Sequence, residues 1–249
     1  LPEDLNTFAK RPSLLRRVLE SGALQSMLGD LSYAIRPERL GPKVSDRVIW
    51  RVATGEKKIA LTFDDGPHPV FTPQVLDVLE RHRVSATFFL IGRNIEQNFG
   101  LAQRITQSGH EVGNHTFTHP LMFKLASYEM RSEISRTDGL LRALGNKRPR
   151  FLRPPSGLFS KRVLDIVGEC GYQAVIGDVY PRDPHLPGTD KLVDRVLGRV
   201  VAGSIVILHD GGNSNPIDRS QTISAVAQLI PQLQDRGFEF VRLSELIGT

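Results

Sequence analysis

The chain has 249 residues, 40% of them hydrophobic and 24% charged, enough for one large α/β domain to bury a substantial core. Its net charge of +5 favours approach to anionic surfaces. Apart from Lys10-Arg11 with Arg16-Arg17 and the cluster Lys147-Arg148-Arg150, the basic residues are scattered and none interleaves with aromatics, so nucleic acid is not an expected partner. The single cysteine, Cys170, excludes an intrachain disulfide. No membrane-spanning run is visible. The chain begins at Leu1 without a charged segment followed by an apolar one, so a leader is not made, already removed or left out of this sequence, and localisation stays open.

Residues 1 to 55 read as an N-terminal helical extension. Leu14, Leu15, Val18 and Leu19, then Leu24, Met27, Leu28 and Leu31, recur at helical spacing as one or two amphipathic helices. Packing on the main domain is favoured over a membrane-surface helix, because the polar face carries both charge signs. Residues 56 to 249 read as the main domain. It opens with the buried strand Ile59-Ala60-Leu61-Thr62-Phe63, then the loop Asp64-Asp65-Gly66-Pro67-His68-Pro69, then a helix face through Val75, Leu76, Val78 and Leu79. Strands over 86–91, 111–113, 150–153, 174–178, 205–208 and 238–241 continue the series, alternating with helices over 95–107, 128–144, 160–170, 191–201 and 220–234. About seven parallel strands covered by helices predict a closed or nearly closed (β/α) barrel. Asp64-Asp65, His115, Arg153, the stretch from Asp178 to Asp183, and His209-Asp210 all follow strands, so a parallel barrel gathers them at its C-terminal mouth.

These residue types point to a hydrolytic metal site. Carboxylate and neutral imidazole suit zinc, cobalt, nickel or manganese, and three protein ligands leave positions open for water and a substrate oxygen. If one member of the Asp64-Asp65 pair binds the ion, its neighbour remains free to act as a general base. His115 and His119 stand at i and i+4, which puts both rings on one side if the segment turns helically, but Gly109, Gly113 and Asn114 before the pair and Pro120 after it leave no long helix, so the pair belongs to a loop. Arg153-Pro154-Pro155-Ser156-Gly157 is stiffened by two prolines; it can hold a guanidinium fixed and present the amide of Ser156 or a neighbour to a developing oxyanion. The apolar strand Ile205-Val206-Ile207-Leu208 ends on His209, which suits a general acid if a carboxylate, Asp183 or Asp178, offsets its burial.

Together these motifs, from Trp50 to Thr249, resemble the polysaccharide deacetylases with a NodB-homology domain, carbohydrate esterase family 4. The resemblance implies a deformed (β/α) barrel and removal of acetyl groups from N-acetylated sugars of a polysaccharide or oligosaccharide, of chitin or peptidoglycan type. It implies one divalent metal ion, zinc first, with cobalt, nickel or manganese as alternatives. By that likeness Asp64 is the base, Asp65, His115 and His119 hold the metal, Arg153 orients the base and His209 is the acid. Leu208 would line the pocket for the acetyl methyl, and the Ser156 amide would serve the oxyanion. The family's Asp-x-x-Asp-Trp run is here Tyr180-Pro181-Arg182-Asp183-Pro184, so Asp183 matches the acid that tunes the histidine and the tryptophan is missing. Ser156 stands where many members carry tyrosine. An extracytoplasmic or cell-wall location follows from the resemblance. The alternatives are a glycan-binding member with altered catalysis, suggested by the absent tryptophan, or an esterase or amidase acting on another acyl group.

Overall fold

The computed structural model describes residues 47–145, 149–213 and 217–248. The helices expected between Leu14 and Leu31 lie outside that range. In chain order the elements are β1 Val48–Ile49, β2 Lys58–Asp64, α1 Phe71–His82, β3 Thr87–Leu90, α2 Gly92–Gln97, α3 Phe99–Gln107, β4 Glu111–Asn114 and α4 Ser127–Ala143. They continue with β5 Phe151–Leu152, α5 Lys161–Glu169, β6 Gln173–Val175, α6 Thr189–Leu197, β7 Ile205–His209, α7 Ser220–Asp235, β8 Glu239–Phe240 and α8 Leu243–Ile247.

Every strand ladder is parallel, in the order β1-β6-β5-β4-β3-β2-β7, with β8 pairing the first residues of β2. Two isolated bridges, Arg51 to Ser204 and Val179 to Val206, bring the β1/β6 edge to β7 and curl the sheet into a barrel. The expected architecture is therefore present, with differences that have local causes. Val48 and Ile49 pair with Ala174 and Val175, so the sheet begins before residue 56 with a strand too short to carry a period-2 signal. The helix expected over 95–107 is two, broken at Asn98, whose φ of −136° and ψ of 46° leave the helical region. β6 stops at Val175 because Gly177 has a φ of +116° and packs against β7, where an added Cβ would lie 2.9 Å from the Ile205 carbonyl oxygen.

Strand alternation sorts side chains into two layers. Ile59, Leu61 and Phe63 of β2 join Val206 and Leu208 of β7 in the large cluster beneath the helices. The opposite face fills the barrel: Ala60, Phe89, Phe151, Val175 and Ile205 pack with Val241, Leu243 and Leu246 from the β8–α8 end. Each fully buried Leu, Ile or Phe contributes about 1.5–3 kcal/mol. This apolar plug occupies the lower interior, and the next inward positions, Thr62, Asp64 and His209, lie above it toward the mouth. Among the described residues no helix is long and apolar enough to cross a membrane.

The closing seam depends on Gly203. Its φ is +80°, and a Cβ there would lie 1.8 Å from the Val52 carbonyl oxygen, against the segment that runs on from β1. Gly203→Ala is expected to destabilise the fold by at least about 1–3 kcal/mol, read as a lowered denaturant midpoint; an unchanged midpoint would show that the seam is not a point of close backbone contact.

Candidate metal centre

Asp64 is the last residue of β2 and Asp65 the first beyond it, with a left-handed φ of 72°. That turn sends the two carboxylates to different partners. Asp64 Oδ1 accepts a 2.6 Å hydrogen bond from Arg153 Nη1, whereas Asp65 Oδ1 lies 3.3 Å from His115 Nε2 and 3.2 Å from His119 Nε2. Asp65 Oδ1 is buried and makes no hydrogen bond to any described group. One ligand atom from each of Asp65, His115 and His119 lies within 4.8 Å of the others. A buried, orphaned carboxylate oxygen facing two imidazole nitrogens is costly unless a cation sits among them, so this donor set fits the expected divalent ion. Burial pushes Asp65 upward, but the imidazoles of His119, His115 and His209 outweigh it and hold the carboxyl well below its usual range. Burial pushes His119 down to about 4, keeping the imidazole neutral near pH 7, the form that ligates metals.

The histidines converge without a helix. Thr116 and His119 both have left-handed backbone, φ 65° and 60°, and the ring centroids are 4.9 Å apart. The i, i+4 spacing therefore brings the rings together through a tight loop and not through one helical turn. Glu133 of α4 holds that loop: its Oε2 accepts from the backbone N–H groups of Phe117 and Thr118 at 2.8 and 2.7 Å, and its Oε1 from Thr118 Oγ1 at 2.8 Å. Asn114 Oδ1 accepts from Thr116 N at 2.9 Å. His115 Nδ1 is 2.7 Å from the Arg153 carbonyl oxygen, which only accepts, so the ring proton sits on Nδ1 and Nε2 presents its lone pair to the site.

Arg153 is fully buried, with Nη1 donating to Thr62 Oγ1 at 2.8 Å as well as to Asp64, and its guanidinium 4.2 Å from the Phe89 ring centroid. Across the mouth, Asp64 and His209 are register partners on adjacent strands and project from the same sheet face. Asp183 Oδ1 lies 2.9 Å from His209 Nδ1, and its Oδ2 accepts from His209 N and Thr222 Oγ1, both at 2.9 Å. Burial pushes His209 down, yet the Asp183 carboxylate outweighs it and leaves the imidazole above its ordinary value. Asp178 is occupied elsewhere, accepting from Ser204 Oγ and Ile205 N, so of the two candidate acids only Asp183 reaches His209. The Tyr180 ring stands edge-on to His209 at 6.1 Å.

Two expected positions differ from the sequence reading or extend it. Leu208 does not line the mouth: it is on the strand face opposite His209, packed under the helices, and Ile207 shares the inward face instead. Ser156 has a φ of 57° within the short turn Pro155–Gly157 and is half-buried. Asp210, beside His209, is bonded by the Thr72 hydroxyl, and burial pushes its carboxyl up to about 7. The supporting residues Thr62, Glu133, Asn213 and Thr222 carry no motif that sequence reading could detect; each is an ordinary polar residue made relevant by tertiary contact.

Comparison with known proteins agrees with this geometry. A family profile described as polysaccharide deacetylase matches residues 51–175. A peptidoglycan-N-acetylglucosamine deacetylase of Bacillus cereus is 41% identical over 203 residues, covering 80% of this chain and 92% of the relative. A chitooligosaccharide deacetylase of Sinorhizobium fredii is 43% identical over 199 residues, covering 77% and 93%. The crystal structure of the Bc1960 peptidoglycan N-acetylglucosamine deacetylase superposes with a TM-score of 0.77 at 34% identity, covering 82% of this chain and 94% of that one. The curled barrel, the Asp-His-His cluster and these likenesses agree: the chain belongs to the polysaccharide deacetylase family.

Proposed function

We propose that the protein is a metal-dependent hydrolase that removes acetyl groups from N-acetylglucosamine units of a polysaccharide, of peptidoglycan or chitin type, in an extracytoplasmic or cell-wall setting. The observation that carries this reading is the orphaned Asp65 carboxylate oxygen facing His115 and His119, with Asp64 and His209 projecting into the same mouth. Asp65, His115 and His119 would hold one divalent ion, zinc first, and that ion would supply Lewis-acid polarisation of the acetyl carbonyl and activation of water. Asp64, held by Arg153, takes the proton from the attacking water. The amide of Ser156 or a neighbour would donate to the developing oxyanion. His209, charged with the help of Asp183, gives its proton to the departing sugar nitrogen, which leaves as an amine with acetate as the other product. The supporting contacts argue for turnover over a binding-only role, since a passive glycan binder has no use for a buried acid clamped to a mouth histidine.

Acetate release from N-acetylglucosamine oligomers and from peptidoglycan, measured before and after chelation, tests the reading. Activity should vanish with the metal and return on adding zinc, cobalt, nickel or manganese. Unimpaired release by verified metal-free protein, or none by metal-loaded protein on either polymer, would overturn it.

Two variants separate the roles. His209→Ala should keep the metal while losing about 10²–10⁴-fold in turnover, and His119→Ala should instead lose bound metal; normal turnover of His209→Ala would remove that residue from the chemistry.

The raised pKa of His209 fixes the sign of the pH response. The acid form is populated below that pKa, so kcat/KM should fall as pH rises through a value above the ordinary imidazole range. Asp183→Asn removes the raising charge and leaves burial to dominate, which should move the alkaline limb to lower pH. An unmoved limb would assign it to another group.

A further inference from the structure

The loop after β7 reaches the far histidine of the metal cluster. Asn213 lies four residues beyond His209, and its amide nitrogen Nδ2 is 2.8 Å from Nδ1 of His119. That loop is tied to the ligand-bearing loops from several sides. Asn94 Nδ2 donates to the carbonyl oxygens of Asp65 at 2.8 Å and Gly212 at 3.3 Å, Arg93 Nη2 donates to the Asn213 carbonyl oxygen at 3.4 Å, and Arg219 Nε donates to that of Gly211 at 2.9 Å. Gly211 itself seats on Asp65, where a Cβ would lie 2.2 Å from the carbonyl oxygen.

The two histidines are held differently. The Nδ1 of His115 faces a carbonyl, which fixes its proton there and leaves Nε2 bare. His119 faces a side-chain amide, whose two ends are nearly isosteric and opposite in hydrogen-bonding sense. With Nδ2 toward the ring, Nδ1 is the acceptor, and the proton of the neutral imidazole sits on Nε2, the nitrogen 3.2 Å from Asp65 Oδ1. That tautomer cannot ligate through Nε2. Turning the amide over by 180° presents Oδ1 to an Nδ1–H and frees the Nε2 lone pair, with no backbone movement.

We propose that Asn213 is a positioning residue that sets the tautomer of His119, its amide turning over when a divalent ion binds. It rests on the reading of Asp65, His115 and His119 as the metal site. The loop after β7 thereby contributes to metal affinity without supplying a ligand, and its amide allows His119 a resting tautomer that the Arg153 carbonyl denies to His115. A residue at 213 that only accepts would hold His119 in the ligating form before the ion arrives; one that does neither would leave the ring unheld.

The test measures zinc affinity by competition with a chromogenic chelator in the wild-type chain, Asn213→Asp and Asn213→Leu. Long-range proton–nitrogen NMR of the His119 ring accompanies it, with and without zinc. Asn213→Asp should bind zinc several-fold more tightly and carry Nδ1–H when metal-free. Asn213→Leu should bind about 10–100-fold more weakly. The wild-type ring should pass from Nε2–H to Nδ1–H on loading. Equal affinity in all three proteins, or an Nδ1–H ring in the metal-free wild type, would overturn the inference, and the wild-type spectra decide it even if a variant fails to fold. Wild-type protein that binds no zinc, cobalt, nickel or manganese would instead bring down the metal reading itself.

Discussion

The buried contact between Arg153 and Asp64 is the constraint around which the mouth of this barrel is arranged. Arg153 is entirely inaccessible, and its side chain reaches Thr62 and Asp64 on β2 while its own carbonyl oxygen receives the Nδ1 proton of His115. One residue thus ties a carboxylate and an imidazole on separate strands into a single frame. Among the described residues the remaining guanidinium nitrogens, Nε and Nη2, find no hydrogen-bond acceptor, and the Phe89 ring beneath them offers only its face. An arginine so poorly satisfied on one side is held by the pair on the other. Breaking such a pair from either end leaves an uncompensated buried charge, which costs about 3–5 kcal/mol.

That frame is possible because of what lies beneath it. Ala60, Phe89, Phe151, Val175 and Ile205 close the barrel interior as an apolar plug, so the polar residues above stand on a dry floor. A low-dielectric floor strengthens every charge interaction above it and penalises every unpaired group. The partners visible in the mouth answer that penalty: Asp183 meets His209 through two hydrogen bonds, Oδ1 with the ring Nδ1 and Oδ2 with the backbone N–H, and Thr222 also donates to Oδ2. Where no partner exists among the described residues, at Asp65 Oδ1, the chemistry calls for a cation.

The alternation of strands and helices, and the polar residues at strand ends, were legible in the sequence because period-2 burial and βα placement are local signals. Asp64, Asp65, His115, Arg153 and His209 could be gathered at one pole from that alone. Facing was harder: Leu208 precedes His209, and in a strand adjacent residues point to opposite sides, so it belongs with Phe63 under the helices. The residues by themselves left Asp183 and Asp178 open, and only the family resemblance favoured Asp183, because the contact depends on which loop curls back over β7. Glu133 and Asn213 were invisible for the same reason, one arriving from a helix and the other from a loop on the opposite side of the mouth. The two short helices read as one because nothing in the apolar spacing marks the dihedral break at Asn98.

Asp65, Thr116, His119, Ser156 and Arg182 all carry left-handed backbone, and all lie in loops that follow strands at the mouth. For residues with a Cβ each such conformation is disfavoured by about 1–2 kcal/mol. The rim is consequently a strained part of the described structure, sustained by the rigidity of the barrel below it. Glycine at any of these positions would ease the local chain and simultaneously free it to wander, so the tension at the rim and the sharp aim of its side chains are one property, inseparable by substitution.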